Sequence, residues 1–327
     1  MKVEIFRRSV KDRRKGNSWD LLYHLKEGIE AAGDEAVIVN EHRTGPTVPG
    51  EMNPTAPMAA MFGYGGDRQM HHTKGRRREL ADNCRAKNIP LITFDGGLLS
   101  SFGNVSTSPD HHFRVALYTP MNDGNFLSDN SPPDRWEMMV KKFKVKYEPW
   151  RKSNQSDPII FVLQPKDNWS MNELDPIEWF NNVYDKLRPI TDRPFIVRPH
   201  PNNVASIVDR QKEFPEDIEL QYTQKHFAGD EKKFYRFHFQ EAIANAHAVV
   251  THNSTASTDS CIRGIPTFCT SDLALCWDVC NKDLNNIETP EYPDRTQWVH
   301  DLGYKMWSIK EIRDGTVYKR FKSKLGM

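Results

Sequence analysis

Residues 91–104 read LITFDGGLLSSFGN. An apolar strand over 89–94 runs into Asp95-Gly96-Gly97, where the glycines let the backbone turn and leave a carboxylate at the strand's carboxyl end. Upstream the pattern alternates. A polar helix spans 76–87, an apolar strand spans 58–62, and Gly63-Tyr64-Gly65-Gly66 forms a turn. A Pro/Gly-rich loop covers 45–57. Before it lie a strand at 36–39, a helix at 19–32 that stops at Gly33, and a short strand at 3–6. Strands separated by helices of this length imply a parallel sheet with crossover connections.

Downstream, the polar stretch 151–157 (RKSNQSD) has no periodicity and reads as a linker. The alternation then restarts. Strands are expected at 159–163, 195–198, 248–251 and 265–268, with helices at 176–187, 239–246 and 258–263. The predicted fold is α/β, with two Rossmann-like domains facing each other across a cleft at the carboxyl ends of both sheets. The expected boundaries are 1–152, 153–302 and a closing segment 303–327.

Composition agrees with a folded, two-domain chain. Of 327 residues, 38% are hydrophobic and 27% charged, which supplies enough apolar surface for two cores and excludes a disordered chain. A net charge of +1 excludes a uniformly basic coat. No apolar run approaches the roughly 20 residues that span a bilayer, and residues 1–16 lack a signal-peptide core. A cytoplasmic location is expected, in a bacterial host if the gene is a phage's. Five cysteines, four of them at 261, 269, 276 and 280, do not describe a secreted disulfide framework. Only Cys276 and Cys280 approach the spacing of paired zinc ligands, so the group reads as buried reduced thiols and no metal is expected.

Three segments carry candidate chemistry, each where a strand ends. Asp95-Gly96-Gly97 offers a carboxylate, or a plain Asp-Gly turn. In Arg198-Pro199-His200-Pro201, two prolines restrict the backbone around a histidine able to donate to a phosphate oxygen, and Arg198 adds positive charge. Thr251-His252-Asn253-Ser254-Thr255-Ala256-Ser257 places small hydroxyl residues where a helix opens, either as caps or as phosphate donors. Neither GxxxxGK[ST] nor GxGxxG occurs, which counts against P-loop ATPases and dinucleotide-dependent dehydrogenases.

In this order the segments resemble a group of GT-B glycosyltransferases that holds the bacterial capsule β-Kdo transferases and, more remotely, bacterial sialyltransferases. The motifs are Asp95-Gly96, His200-Pro201 and Ser254-Thr255. Residues 91–104, 159–170 (IIFVLQPKDNWS) and 260–268 (SCIRGIPTF) add to the likeness, which runs from about residue 58 to 320. The resemblance implies a UDP- or CMP-sugar co-substrate, no bound cofactor and no metal. By carry-over, Asp95 accepts the acceptor hydroxyl's proton, and His200 with Ser254 and Thr255 neutralises the departing phosphate. Arg198, Asn253 and Ser257 complete the expected donor set. One departure stands out: Phe94 occupies the position where sialyltransferases have the first of two acidic residues.

For the acceptor side, Arg76, Arg77 and Arg78 join Gly96 and Gly97 as candidates. Further basic clusters lie at Arg7-Arg8, 13–15, Lys74 and 141–146. Read as a polyanion track, they favour double-stranded DNA bearing a hydroxymethylated base such as hydroxymethylcytosine, modified as some bacteriophage enzymes do. Read as solvated faces, they leave a surface glycan as the acceptor. No stable membrane insertion is expected. Two further readings stay open: a sugar-nucleotide epimerase, and a nucleic-acid-binding protein without catalysis.

Overall fold

A computed structural model describes residues 1–7, 21–40, 52–64, 76–99, 110–166, 168–221 and 239–327. In chain order the elements are β1 (Lys2–Arg7), α1 (Leu21–Ala31), β2 (Glu35–Asn40), β3 (Met58–Phe62), α2 (Arg76–Ala86), β4 (Leu91–Gly96), β5 (His112–Leu117) and α3 (Asp134–Phe143). Then follow β6 (Ile159–Val162), α4 (Pro176–Leu187), β7 (Phe195–Arg198), α5 (Val204–Asp209), β8 (Ile218–Leu220), a helical stretch α6 (239–243), β9 (Ala248–Thr251), α7 (Ala256–Ile262) and β10 (Thr267–Cys269). The chain closes with α8 (Thr296–Lys305), β11 (Met306–Ser308), α9 (Ile309–Arg313) and α10 (Thr316–Lys324).

The chain divides into two compact units. One comprises 1–97, 102–136 and 300–327, the other 98–101 and 137–299. This division falls within α3 and α8, away from 151–157, the stretch expected to link the domains. The physical reason is that 151–157 is built into the second unit. Arg151 pairs with Asp157 at 2.6 Å and its N–H donates to the Gly264 carbonyl, while Arg193 donates to the carbonyls of Asn154, Gln155 and Asp157. These bonds tie the stretch to the second unit although Lys152, Asn154, Gln155 and Ser156 are exposed.

The first unit holds a six-stranded sheet in the order β11-β5-β4-β3-β1-β2. Strands β1 to β4 are parallel, whereas β5 and β11 are antiparallel to their neighbours β4 and β5. β1 and β3 are covered on both faces; β3 (MAAMF) reads as a continuous apolar run, whereas β1 also buries Glu4 and Arg7. α1 buries Leu21, Leu22, Leu25 and Ile29 against one face, a helical stripe in which each large aliphatic contributes roughly 1.5–3 kcal/mol. Gly33, at φ 86°, ends that helix. The closing segment also belongs here. A Cβ on Gly28 of α1 would lie 2.2 Å from the Ile312 carbonyl, so only glycine permits this approach of α1 to α9. Lys322 and Tyr318 of α10 donate to Asp34 at 2.6 and 2.7 Å, and these bonds hold its carboxyl well below the usual range.

The second unit holds a five-stranded parallel sheet in the order β10-β9-β6-β7-β8. From β6 the chain moves outward through β7 to β8, then returns to the other side of β6 for β9 and β10. The strand order therefore reverses between β6 and β9, the place where ligands enter open α/β sheets. Phe161, Phe180, Phe195 and Phe214 pack edge-on or tilted in the core, and Asp175 caps α4 by accepting from the N–H groups of Ile177 and Glu178. Among the described residues, no helix is long and apolar enough to cross a membrane.

Candidate active site

In the first unit β4 does not stop at Phe94. It continues through Gly96, because Asp95 pairs across the sheet with Arg114 of β5 and Gly96 with Phe113. Strand alternation then fixes the two neighbours. Phe94 is fully buried in the core cluster, while Asp95 on the opposite face keeps 27% of its side chain exposed. An acid at position 94 would be buried among Ile92, Val115 and Leu117, so the departure from the two-acid pattern follows from this core.

Arg114 is the residue that sequence reading missed. Its side chain is 7% exposed and donates to Asp95 Oδ2 at 2.8 Å, to the Gly96 carbonyl at 2.9 Å and to the Pro120 carbonyl at 3.0 Å. Asp95 Oδ1 accepts from the N–H of Gly96 at 2.7 Å. Both carboxylate oxygens are thus oriented, and lone pairs remain for a hydroxyl proton. The available signal was a lone charge inside the apolar run HFRVAL, residues 112–117. A Cβ at Gly97 would meet the His112 carbonyl at 2.7 Å, whereas one at Gly96 meets nothing within 4 Å.

Arg76 begins α2, with Arg77 and Arg78 behind it in the first turn. Arg77 packs against Gly63, where an added Cβ would lie 2.9 Å from Nη1, and Arg78 lies over the Tyr64 ring at 5.9 Å. Positive charge at a helix N-terminus reinforces the helix's own positive end, a combination that favours an anion nearby. Arg8, residues 13–15, Lys74, Gly65 and Gly66 lie outside the described residues. Arg7 is buried and donates to the Tyr23 hydroxyl at 2.8 Å.

In the second unit, His200 follows β7, Gln164 follows β6, and Asn253 to Thr255 follow β9. Val162 of β6 stands level with both Arg198 and Thr251, so these loops share the carboxyl edge of one sheet. Beneath them lies a buried amide lattice. Asn253 Oδ1 accepts from Gln164 Nε2 at 2.7 Å and from Ser170 Oγ at 3.0 Å. Its Nδ2 donates to the Ser170 carbonyl at 2.8 Å and to Ser271 Oγ at 3.4 Å. The backbone N–H of Asn253 donates to Gln164 Oε1. All four side-chain bonding positions of Asn253 are therefore filled by protein.

Ser257 is likewise buried, and its hydroxyl donates to the Ser254 carbonyl at 2.6 Å. Arg198, 4% exposed, donates to Gln221. Ser254, Thr255 and His200 are half-buried. His252 is a further residue of this edge. Its Nδ1 lies 2.9 Å from the Thr270 hydroxyl, and burial pushes its pKa down, which favours a neutral ring. A cleft beside the start of α4, lined by Asp175, Glu178, Asn181, Arg210 and Glu213, has surplus acid and suits no phosphate. Arg295 is buried against Tyr147 and Trp150 and donates to the Glu148 carbonyl, and Trp298 and Trp307 are core residues.

No family model and no curated protein matches this sequence. Among solved structures, the β-Kdo 2,4 transferase of Thermosulfurimonas dismutans KpsC aligns at TM-score 0.54 and 14% identity, covering 92% of this chain and 89% of that one. The β-Kdo 2,7 transferase of the same organism's KpsC aligns at TM-score 0.48 and 10% identity, over 98% and 100% of the two chains. A UDP-GlcNAc 2-epimerase from Methanocaldococcus jannaschii reaches TM-score 0.32 at 12% identity, over 85% and 87%. Only the first of these likenesses is strong enough to bear on architecture, and it bears on the fold alone. The chain has the α/β architecture of GT-B glycosyltransferases.

Proposed function

We propose that the protein is a glycosyltransferase that moves a sugar from a nucleotide-sugar donor to a hydroxyl of a surface-type glycan. The observation that carries this reading is the oriented carboxylate of Asp95, held by buried Arg114 at the carboxyl end of a strand. In the proposed step, the acceptor oxygen bonds to the anomeric carbon and gives its proton to Asp95. The anomeric C–O bond to phosphate breaks, and its electron pair leaves with the nucleotide. His200, Ser254 and Thr255 supply hydrogen-bond donors to that phosphate, and the Gln164–Ser170–Asn253 lattice holds the loop of Ser254 and Thr255 in place. Asn253, Ser257 and Arg198 support this loop and its neighbour without needing to touch the donor.

The glycan acceptor is preferred because the structural neighbour that bears on the fold is named a β-Kdo transferase. None of the solved structures compared above is named as acting on DNA. The test is incubation with UDP- and CMP-activated sugars, CMP-Kdo included, against Kdo-terminated oligosaccharides, with hydroxymethylated DNA alongside. Nucleotide release that depends on the glycan, with a matching mass increase of the glycan, is the expected result. Turnover of donor alone would point to an epimerase. A glycosylated base in the DNA arm would restore the DNA reading.

A further inference from the structure

In sequence, only Cys276 and Cys280 approach a ligand pair. The fold adds a third thiol. Cys269 ends β10, and the following loop turns back so that Asn281 stands beside Phe268. The Cys269 N–H donates to the Asn281 carbonyl at 3.1 Å, and the Asn281 N–H to the Thr267 carbonyl at 2.7 Å. Within the loop, the N–H of Trp277 donates to the Ala274 carbonyl and that of Val279 to the Cys276 carbonyl, turns that bring the thiols together. Cys269, Cys276 and Cys280 are 1%, 0% and 7% exposed, and all three sulfurs lie within 4.8 Å of one another. Cys269 Sγ and Cys276 Sγ are 3.6 Å apart.

The closest of those separations is near the edge of a coordination polyhedron. A metal–sulfur bond of about 2.3 Å places tetrahedral thiolates roughly 3.8 Å apart, so a cation between these sulfurs needs only tenths of an ångström of adjustment at the closest pair. We propose that Cys269, Cys276 and Cys280 form a trithiolate site for a thiophilic d10 cation. Among the described residues, no further His, Cys, Asp or Glu joins the group. The site thus suits Cu(I) in three-coordination, or Zn(II) with a fourth ligand from outside the protein. On binding, each thiol gives up its proton and the sulfur lone pair goes to the metal; no electron is transferred.

The loop so closed is part of the sheet edge described above. Its first residues, Thr270 and Ser271, hydrogen-bond to His252 and Asn253. A cation here would clamp that wall in place and need take no part in bond making.

The test uses the full chain, reduced, stripped of metal and then offered Zn(II) or Cu(I) separately. Native mass spectrometry should find one ion per chain, with the three thiols of residues 264–282 reacting more slowly with N-ethylmaleimide when the ion is bound than in the stripped protein. Cys276→Ser should weaken binding by at least about tenfold, while Cys84→Ser leaves it unchanged. Less than a tenth of an equivalent bound to the reduced wild type would overturn the site. So would full affinity in Cys276→Ser, or a mass two hydrogens lower that marks a disulfide instead. Shielding in the wild type reports on the site even if the serine variant fails to fold. Because both readouts are binding and labelling, they stand or fall apart from glycosyl transfer.

Discussion

The sheet edges of the two units are held by different kinds of force. At the end of β4 a charge pair does the work: Asp95 keeps 27% side-chain exposure while Arg114, at 7%, is almost withdrawn from water. At the ends of β6 and β9 the support is neutral, an amide–hydroxyl lattice of Gln164, Ser170 and Asn253. A half-exposed carboxylate beside a buried guanidinium keeps a fixed direction. A neutral lattice adds no charge of its own, and in the proposed function it orders the loop whose hydroxyls would meet the donor phosphate. In the proposed function, proton acceptance falls to one unit and phosphate stabilisation to the other.

The sharpest way to break that division is to remove the proton acceptor. Asp95→Asn preserves shape and should lower kcat by about 10²–10⁴-fold, the usual contribution of general base catalysis, with the donor Kd from calorimetry unchanged. Loss of donor affinity with normal kcat would place Asp95 on the wrong side of the comparison. His200→Ala should show the complementary pattern, with turnover down by about 10²-fold or less and no change in the binding of a glycan acceptor.

The two edges also differ in how readily they could be read from the sequence. The alternation of strand and helix was legible in both units, because β6, β7 and β9 are short apolar runs buried on both faces. The position of Asp95 at a strand end was legible too. What was not legible depends on pairing between distant residues. HFRVAL gives no local sign that its arginine will face an acid 19 residues earlier, since that requires antiparallel register between β5 and β4. Asn253 reads as a polar loop residue, but partners 83 and 89 residues away bury it. The stretch 151–157 reads as a linker because its partners, Ala246, Gly264 and Arg193, are equally remote.

The next largest effect should come from the charge itself. Arg114→Met removes the partner of Asp95 and leaves the carbonyls of Gly96 and Pro120 without their donor. Because Asp95 is partly solvated, the loss is set at about 2–4 kcal/mol, below the cost of breaking a fully buried pair. Urea unfolding measures it. Arg114→Lys cannot span all three acceptors with one ammonium group and should recover only part of the loss. Full stability in the methionine variant would mean that the pair is dispensable for folding and kept for chemistry alone.

On the neutral edge, Asn253→Ala strands Gln164 and Ser170 in a buried site. The expected loss is about 1–3 kcal/mol, together with a raised KM for the donor as the loop above loosens. Ser254→Ala is the matched control. Its hydroxyl oxygen accepts only a long bond from the Ala256 N–H, at 3.3 Å, so stability should change by less than about 0.5 kcal/mol while donor use falls. Equal destabilisation by both would merge support and contact into one role.

The smallest effects come from two adjacent glycines beside the acid, and they separate shape from charge. Neither Gly96 nor Gly97 has a positive φ, so the difference between them is one of space. At Gly97 an added methyl would lie 2.7 Å from the His112 carbonyl, a contact with backbone of the neighbouring strand that cannot rotate away. Relief requires β4 and β5 to part, which would disturb the register that sets Asp95 opposite Arg114. Gly97→Ala should therefore cost about 1–3 kcal/mol and reduce turnover through misplacement of the carboxylate. At Gly96 nothing lies within 4 Å, so alanine there should leave stability within about 0.5 kcal/mol of wild type. Should Gly96→Ala nonetheless raise KM for the acceptor alone, the open space beside Asp95 is where the acceptor sits. Unchanged KM in that variant would move the acceptor elsewhere along the strand end.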